Sequence, residues 1–467
     1  MRITKATNKW FREQGHRLDC KPYMSGAIEA KLILESLTCK MRPLNECTLG
    51  GDSGIYHAGR EGRRWVDSKE FGVSFLSSTD ILKSDISDLP LISREQVIKT
   101  PAFIIKSGWT LITRSGTIGR MAYARPDMDG MACSEHVMRV IPDEMKIKSG
   151  YLFAYLNSKF GIPLVVSNTY GSIIQSIEPH HLSSLPVPKL ESSIEIAIHE
   201  KVVAASEARA KSTDLISSSH KILASLLGIQ FSKYNADVTN FSTTVVKSSV
   251  LRRLDATHYA PVATQAIYDL KTGFGGSKEI GQIADVFTPG IFKRPYVKDP
   301  AYGYPYFSGS ELFLNTPNPR GFLSKSAPKI ENYIVKKDWL LVQDAGQLGG
   351  LIGKVVRVGD KVDGSVVSNH LMRIAPKNQI DSAYLYSLLT STIGYKAIVR
   401  NAFGTSIPQL SPSHISDIFI PWPSENIREA IAKPVTEAWK LQDNAIELEK
   451  DAVNLLEKAI EAVAPKH

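Results

Sequence analysis

The residues with the most direct claim on chemistry are Pro126-Asp127 and, further along, Glu144-x-Lys146. Two acids and a lysine in this order fit the loose pattern in which carboxylates hold a divalent metal for phosphodiester hydrolysis. The second half of the chain has Val358-Gly359 at the matching place, and Pro142-Asp143-Glu144 also reads as a turn after the apolar run at 137–141. Methyl transfer has less support. No Asn/Asp-Pro-Pro-aromatic run is present to grip a base, no G-x-G loop follows a strand, and Gly346, Gly349, Gly350 and Gly353 lack nucleotide-loop spacing. Cys20, Cys39, Cys47 and Cys133 show no paired short spacing, so free thiols in a reducing compartment are expected instead of a zinc site. The expectation is no catalytic residue, no metal and no cofactor.

Recognition of nucleic acid has more residues behind it. The chain carries 56 Lys+Arg against 47 Asp+Glu, a net charge of +9, which favours an acidic partner. Reading DNA needs base-edge donors and acceptors in a cationic setting. Arg60, Arg63 and Arg64, set among Gly59, Gly62 and Trp65, form one basic loop; Lys293, Arg294 and Lys298 around Tyr296 form another. Gly171-Ser172 to Gln175 and Gly404-Thr405-Ser406 to Gln409 combine glycine with hydroxyls and amides that suit close approach to phosphate or base. With Arg114, the candidate DNA-binding residues are Arg60, Arg63, Arg64, Arg114, Ser172, Gln175, Lys293, Arg294, Thr405 and Gln409. A charge cluster is also commonly a solvated face, and the two glycine segments also fit a turn before an exit strand. His136 and His370, in apolar runs, read as core residues more readily than as ligands.

Positioning these residues falls to a repeat. Arg17-Leu18-Asp19 returns as Arg253-Leu254-Asp255 at an offset of 236. Trp109-Thr110-Leu111-Ile112 with Gly116 and Gly119 returns as Trp339-Leu340-Leu341-Val342 with Gly346 and Gly349, at 230. Ser134-Glu135-His136 returns as Ser368-Asn369-His370 at 234, and Tyr170-Gly171-Ser172 as Phe403-Gly404-Thr405 at 233. Blocks in one order with drifting offsets indicate duplication, with insertions in loops. Each copy reads as mixed α/β, with strands at 109–113, 136–141, 339–343 and 370–374 and helical spacing at 151–160 and 384–393. Each ends in a long helix after a proline pair. In the C-terminal helix Ile427, Ile431, Pro434, Ala438, Leu441, Ala445, Leu448, Ala452, Leu455 and Ala459 alternate by four and three, a coiled-coil seam. The same register lands on Ile194, Ile198, Lys201, Ala205, Ala208, Ser212, Leu215, Ser219, Ile222 and Leu226. The small seam residues favour the two helices packing on each other; the competing arrangement folds each helix back on its own domain.

The expected division is 1–190 for the first globular copy, 191–228 for its helix, 229–252 for a linker, 253–423 for the second copy and 424–463 for its helix. A hydrophobic content of 43% and 22% charged residues suit a globular protein. Arg2, Lys5, Lys9 and Arg12 precede no apolar run, and no run of 18 apolar residues occurs, so a cytoplasmic protein without a membrane span is expected.

Arg-Leu-Asp at both openings, 111–119, and the stretch from Tyr170-Gly171 to Leu185-Pro186-Val187-Pro188 before a long helix resemble type I restriction-modification specificity subunits over about residues 17 to 463. The resemblance implies an α+β fold with two duplicated α/β target-recognition domains, each followed by a long helix, the two helices packing as an antiparallel coiled coil that acts as a ruler. It implies that each domain reads half of a bipartite double-stranded DNA target. It further implies that DNA methyltransferase (modification) subunits bind the helices, that motor-nuclease (restriction) subunits join that core, and that this subunit carries no catalysis. Ile198, Leu215, Ile222, Leu441, Leu448 and Leu455 are the expected partner-binding helix residues. The second copy departs from the pattern where Asp344-Ala345 replaces Arg114-Ser115, so phosphate attraction there is expected from Lys293, Arg294 and Lys298 instead. The rival reading is a non-catalytic scaffold that organises partners without reading DNA, which would not need divergent basic loops.

Overall fold

The computed structural model describes residues 7–13, 20–167, 176–234, 243–251, 253–273 and 276–464. The chain divides into two compact units, Met1–Ala210 with Asn444–His467, and Lys211–Asp443.

The strands described in the first unit are β1 (Met41–Pro43), β2 (Ile55–Tyr56), β3 (Trp65–Val66), β4 (Gly72–Leu76), β5 (Leu91–Ser93), β6 (Thr110–Thr113), β7 (Met121–Tyr123), β8 (Ala132–Cys133), β9 (Val137–Val140) and β10 (Pro186–Pro188). They form three sheets, β1-β10, β2-β9-β6-β7 and β3-β5-β4-β8. The second unit has β11 (Ser277–Glu279), β12 (Ala284–Phe287), β13 (Tyr296–Val297), β14 (Gly303–Phe307), β15 (Gly321–Ser324), β16 (Leu340–Gln343), β17 (Val355–Arg357), β18 (Val366–Val367), β19 (Leu371–Pro376) and β20 (Phe419–Pro421). Their order is β11-β20, β12-β19-β16-β17 and β13-β15-β14-β18, the same connectivity strand for strand. Register repeats too. Ile112 faces Met138 across β6 and β9, and Val342 faces Met372 across β16 and β19.

The central strands are short continuous apolar runs because both of their faces are covered. Ile112 joins a large core with the helix α1 (Ser149–Leu156), while Leu111 points to a smaller core with Leu76 and Cys133. Val342 and Leu341 divide between two cores in the same way. The other helices that matter here are α2 (Ser192–Leu227), α3 (Gln379–Thr390) and α4 (Glu425–Val463). Tyr151 of α1 donates its hydroxyl to the carbonyl of Pro188 at 2.6 Å, and Tyr384 of α3 donates to Pro421 at 2.5 Å. The proline-rich exit strands thus gain an anchor through carbonyls, which proline retains, where it has no N–H to offer.

The repeat is aligned differently in one loop. Gly119 has φ 79°, and a Cβ there would meet Val166 at 2.6 Å; Gly353 has φ 76° and would meet Val399 at 2.7 Å. Each returns its N–H to the end of the preceding strand, at Thr113 and Gln343. Gly353, not Gly349, is therefore the counterpart of Gly119. The insertion that moves the offset from 230 to 234 lies inside the loop joining β16 to β17, with Met121 opposite Ile112 and Val355 opposite Val342.

Residues 192–210 and 444–463 of the long helices belong to the first unit, and 211–227 and 425–443 to the second. Within each unit the two segments run antiparallel. Lys201–Asp451 and Arg209–Glu449 are ion pairs in the first; in the second Lys211 pairs with Glu437 and Ser219 Oγ donates to the Ile431 carbonyl at 2.8 Å. One seam position is as expected, with Ile198, Ala205, Ser212, Ser219, Ile431, Ala438, Ala445 and Ala452 buried. The other lies one residue further along, at Val202, Leu223, Val435 and Leu456, while Lys201, Leu215, Ile222, Leu441, Leu448 and Leu455 are half-buried. The reason is that each segment covers both its partner helix and the globular part of its unit, as Ile198, Val202, Leu456 and Ile460 do in the first core. The buried stripe is then wider than a two-helix seam, and its centre moves.

Candidate nucleic-acid interface

Arg139 in β9 and Arg373 in β19 occupy the same place, and both are fully buried. Arg139 donates to the carbonyls of Cys133, Ser134, Val137 and Phe103. Arg373 donates to those of Val367, Ser368, Leu371 and Tyr333. Burial pulls the Arg373 guanidinium down to about 10. Four carbonyls gathered on one planar fork hold the turn before each strand in a single shape. That turn is Ser134-Glu135-His136 in one unit and Ser368-Asn369-His370 in the other.

The basic loops come to rest on these turns. Arg63 donates to Glu135 at 2.7 Å and to Ser134 at 3.3 Å, with its guanidinium 4.9 Å from the centre of the Phe75 ring. Trp65 meets Phe75 edge-on at 5.2 Å. Arg294 donates to Asn369 Oδ1 at 3.2 Å and lies 5.5 Å from the centre of Tyr306, which Tyr296 meets edge-on at 6.1 Å. Phe75 and Tyr306 are core residues, whereas Trp65 is 48% and Tyr296 52% exposed. Burial alone would raise the Glu135 carboxyl, but the hydrogen bond and charge of Arg63 outweigh it and hold it below the usual carboxylate range. His136 and His370 are not core residues, contrary to the expectation from their apolar neighbours. Their side chains are 41% and 52% exposed, just before the strands begin, with Nδ1 2.7 Å from Ser115 Oγ and 3.3 Å from Asp344 Oδ1 respectively.

The other candidates are placed as follows. Arg60 and Lys293 are exposed, and Arg64 is exposed beside Glu95 at 3.4 Å. Arg114 turns inward. It donates to the carbonyl of Ile177 at 3.0 Å and pairs with Glu178, which also meets His57 at 3.1 Å. Its counterpart Asp344 is buried, and desolvation raises its carboxyl although His370 opposes the shift. Thr405 and Gln409 are exposed on a tight loop closed by reciprocal backbone bonds between Phe403 and Gln409, and Leu410 donates back to Asp344 at 2.7 Å. Ser172 and Gln175 lie outside the described residues. The structure therefore unites Arg63 and Arg294 in equivalent constellations and leaves Arg114 as a fastening of the core. Arg139 and Arg373 are not among the expected site residues, although an arginine at the same point of an apolar strand in both copies is a signal for them.

The acid–lysine pattern serves local structure. Arg125 grips Asp127 with two bonds of 2.9 and 2.8 Å, and Glu144 accepts the N–H of Ser149 at 3.1 Å where α1 begins. Among the described residues no group of three or more His, Cys, Asp or Glu is placed to hold a metal ion, and no helix is long and apolar enough to cross a membrane. Burial pushes the Cys47 and Cys133 thiols up to about 11.

Two units of one strand order each present an arginine stacked on a buried ring, a solvent-facing aromatic ring (Trp65 or Tyr296) and a solvent-facing histidine (His136 or His370). Residues 276–458 match the model of the type I restriction modification DNA specificity domain. The first half of the chain repeats the strand order of the second. Among solved structures, the chain is similar to the type I restriction-modification system S subunit from M. genitalium, with 13% identity, a TM-score of 0.36, and 92% of this chain and 97% of that one covered. It is also similar to the HsdS subunit from Thermoanaerobacter tengcongensis, with 16% identity, a TM-score of 0.27, and coverage of 90% and 96%. No curated protein matches the chain.

Proposed function

We propose that each unit reads one half of a bipartite, asymmetric DNA target. In this reading methyltransferase subunits dock on the paired segments of α2 and α4, and motor-nuclease subunits join the resulting core. The observation that carries it is the contrast between an invariant frame and variable faces. Strand order and the buried Arg139 and Arg373 repeat, while the residues set on that frame differ: the exposed Trp65 against Tyr296, and, beneath the basic loops, the buried Glu135 against Asn369. Two unlike readers on one scaffold suit a split asymmetric target as symmetric dimers suit palindromes. Arg60 and Arg64 in the first unit and Lys293 and Arg294 in the second supply the phosphate attraction. Thr405 and Gln409 add polar groups on a glycine-bearing loop. A scaffold without DNA reading gives no reason for arginines stacked beside exposed aromatic rings.

The test is a methylome of cells carrying this chain with its methyltransferase, compared with cells lacking only this chain. The proposal expects a split asymmetric motif whose methylation depends on the chain; an unchanged methylome would overturn it.

A further inference from the structure

The two reading faces differ in charge at one matched contact. Arg63 and Arg294 stack on equivalent rings, and each is gripped by the middle residue of the turn that the buried arginine shapes. In the first unit that residue is Glu135, whose side chain is only 10% exposed and whose carboxylate takes the charge of Arg63. In the second it is Asn369, an amide that accepts one hydrogen bond of 3.2 Å and carries no charge. Among the described residues no carboxylate lies within ion-pair distance of Arg294.

We infer that Glu135 and Asn369 are positioning residues that set the electrostatic weight of each half: Asn369 presents Arg294 to a DNA phosphate with its charge uncompensated, while Glu135 holds Arg63 as a neutral pair. The inference rests on the DNA-reading proposal above and deepens it. A guanidinium held by an amide keeps its full attraction for phosphate and keeps a fixed direction through the ring beneath it. A guanidinium already paired with a carboxylate must give up that partner to bind phosphate, and releases little counterion when it does. The second unit then contributes an electrostatic anchor that the first lacks at this position. At this position the first unit adds little to the salt dependence, and its phosphate attraction falls to Arg60 and Arg64.

The test uses the full-length chain and a double-stranded DNA of arbitrary sequence, with the affinity measured by fluorescence anisotropy over a series of salt concentrations. The slope of log K against log salt counts phosphates neutralised, and one contact changes it by about 1. Asn369→Asp, nearly the same shape, is expected to lower the slope by about 1, as is Arg294→Ala. Glu135→Gln is expected to raise it by about 1, and Arg63→Ala added to Glu135→Gln is expected to return it to the wild-type value. A purely structural role for residues 135 and 369 would change affinity or melting temperature without these opposed changes in slope. If Glu135→Gln does not fold, the Asn369→Asp and Arg294→Ala pair still decides. Wild-type slopes in both of those variants would overturn the inference while leaving DNA reading in place. Failure of the wild-type chain to bind duplex DNA at all would overturn both.

Discussion

Arg139 and Arg373 are charged side chains with no exposed surface, and each places its guanidinium among four carbonyls. Replacing Arg373 by Met keeps the volume but removes four hydrogen bonds to carbonyls in a buried place, so Arg373→Met is expected to destabilise the second unit by about 2–4 kcal/mol, measured by denaturant unfolding. His199 offers a pH-dependent case. Its Nδ1 accepts the N–H of Gly150 at 3.1 Å, which needs the neutral ring, and burial holds its pKa below the ordinary 6.5. The unfolded chain therefore binds this proton first as pH falls. The bond's contribution is whole above about pH 6.5 and is lost as pH drops through the folded value. Glutamine can accept the same bond without titrating. His199→Gln is expected to lose less stability than the wild type between about pH 7.5 and about pH 5.5, read as the shift in unfolding midpoint. An equal loss in both proteins would remove His199 from the account.

At the level of elements, the helix segments hold a largely buried ion pair. Arg209 and Glu449 face each other at 10% and 15% exposure on the covered side of α2 and α4. Removing one member takes an opposite charge away from the other in a largely buried place, so Arg209→Leu or Glu449→Leu alone is expected to cost about 3–5 kcal/mol. The double substitution to leucine is expected to recover much of that loss, and additive losses in the double-mutant cycle would contradict the interpretation. These elements show what the sequence could carry. Apolar runs in both copies located β6, β9, β16 and β19, and a period near seven located both long helices. The two-residue strands β3 and β13 have no periodicity to find; they exist because their neighbours in the sheet supply the partners. The seam moved by one residue because a heptad reading assumes one partner, and these helices have two. Arg114 read as a surface cation because its acid, Glu178, is 64 positions away and joins it only in the fold.

The molecule as a whole interleaves its chain. The C-terminal end of α4 belongs to the first unit, where Ala452, Leu456 and Ile460 are fully buried in the main core. Leu456→Ala and Ile460→Ala are each expected to cost about 2–5 kcal/mol. The loss should appear, by hydrogen exchange, as reduced protection across 20–210, with 211–443 little changed. Loss of protection confined to α4 itself would contradict the unit boundaries. The duplication was legible from sequence, since matched blocks survive wherever the core demands them. The exchange of helix ends between units was not, because it depends on which residues meet and leaves no mark in the spacing of either helix.

The central claim is that one scaffold is presented twice to read two different half-sites. Its most direct test is the methylation motif of cells carrying the chain and its methyltransferase, before and after the second unit's loop at 290–298 is replaced. The account predicts a bipartite motif in which one half relaxes or changes and the other half stays as it was. A motif altered in both halves, or one left wholly unchanged by the replacement, would contradict it.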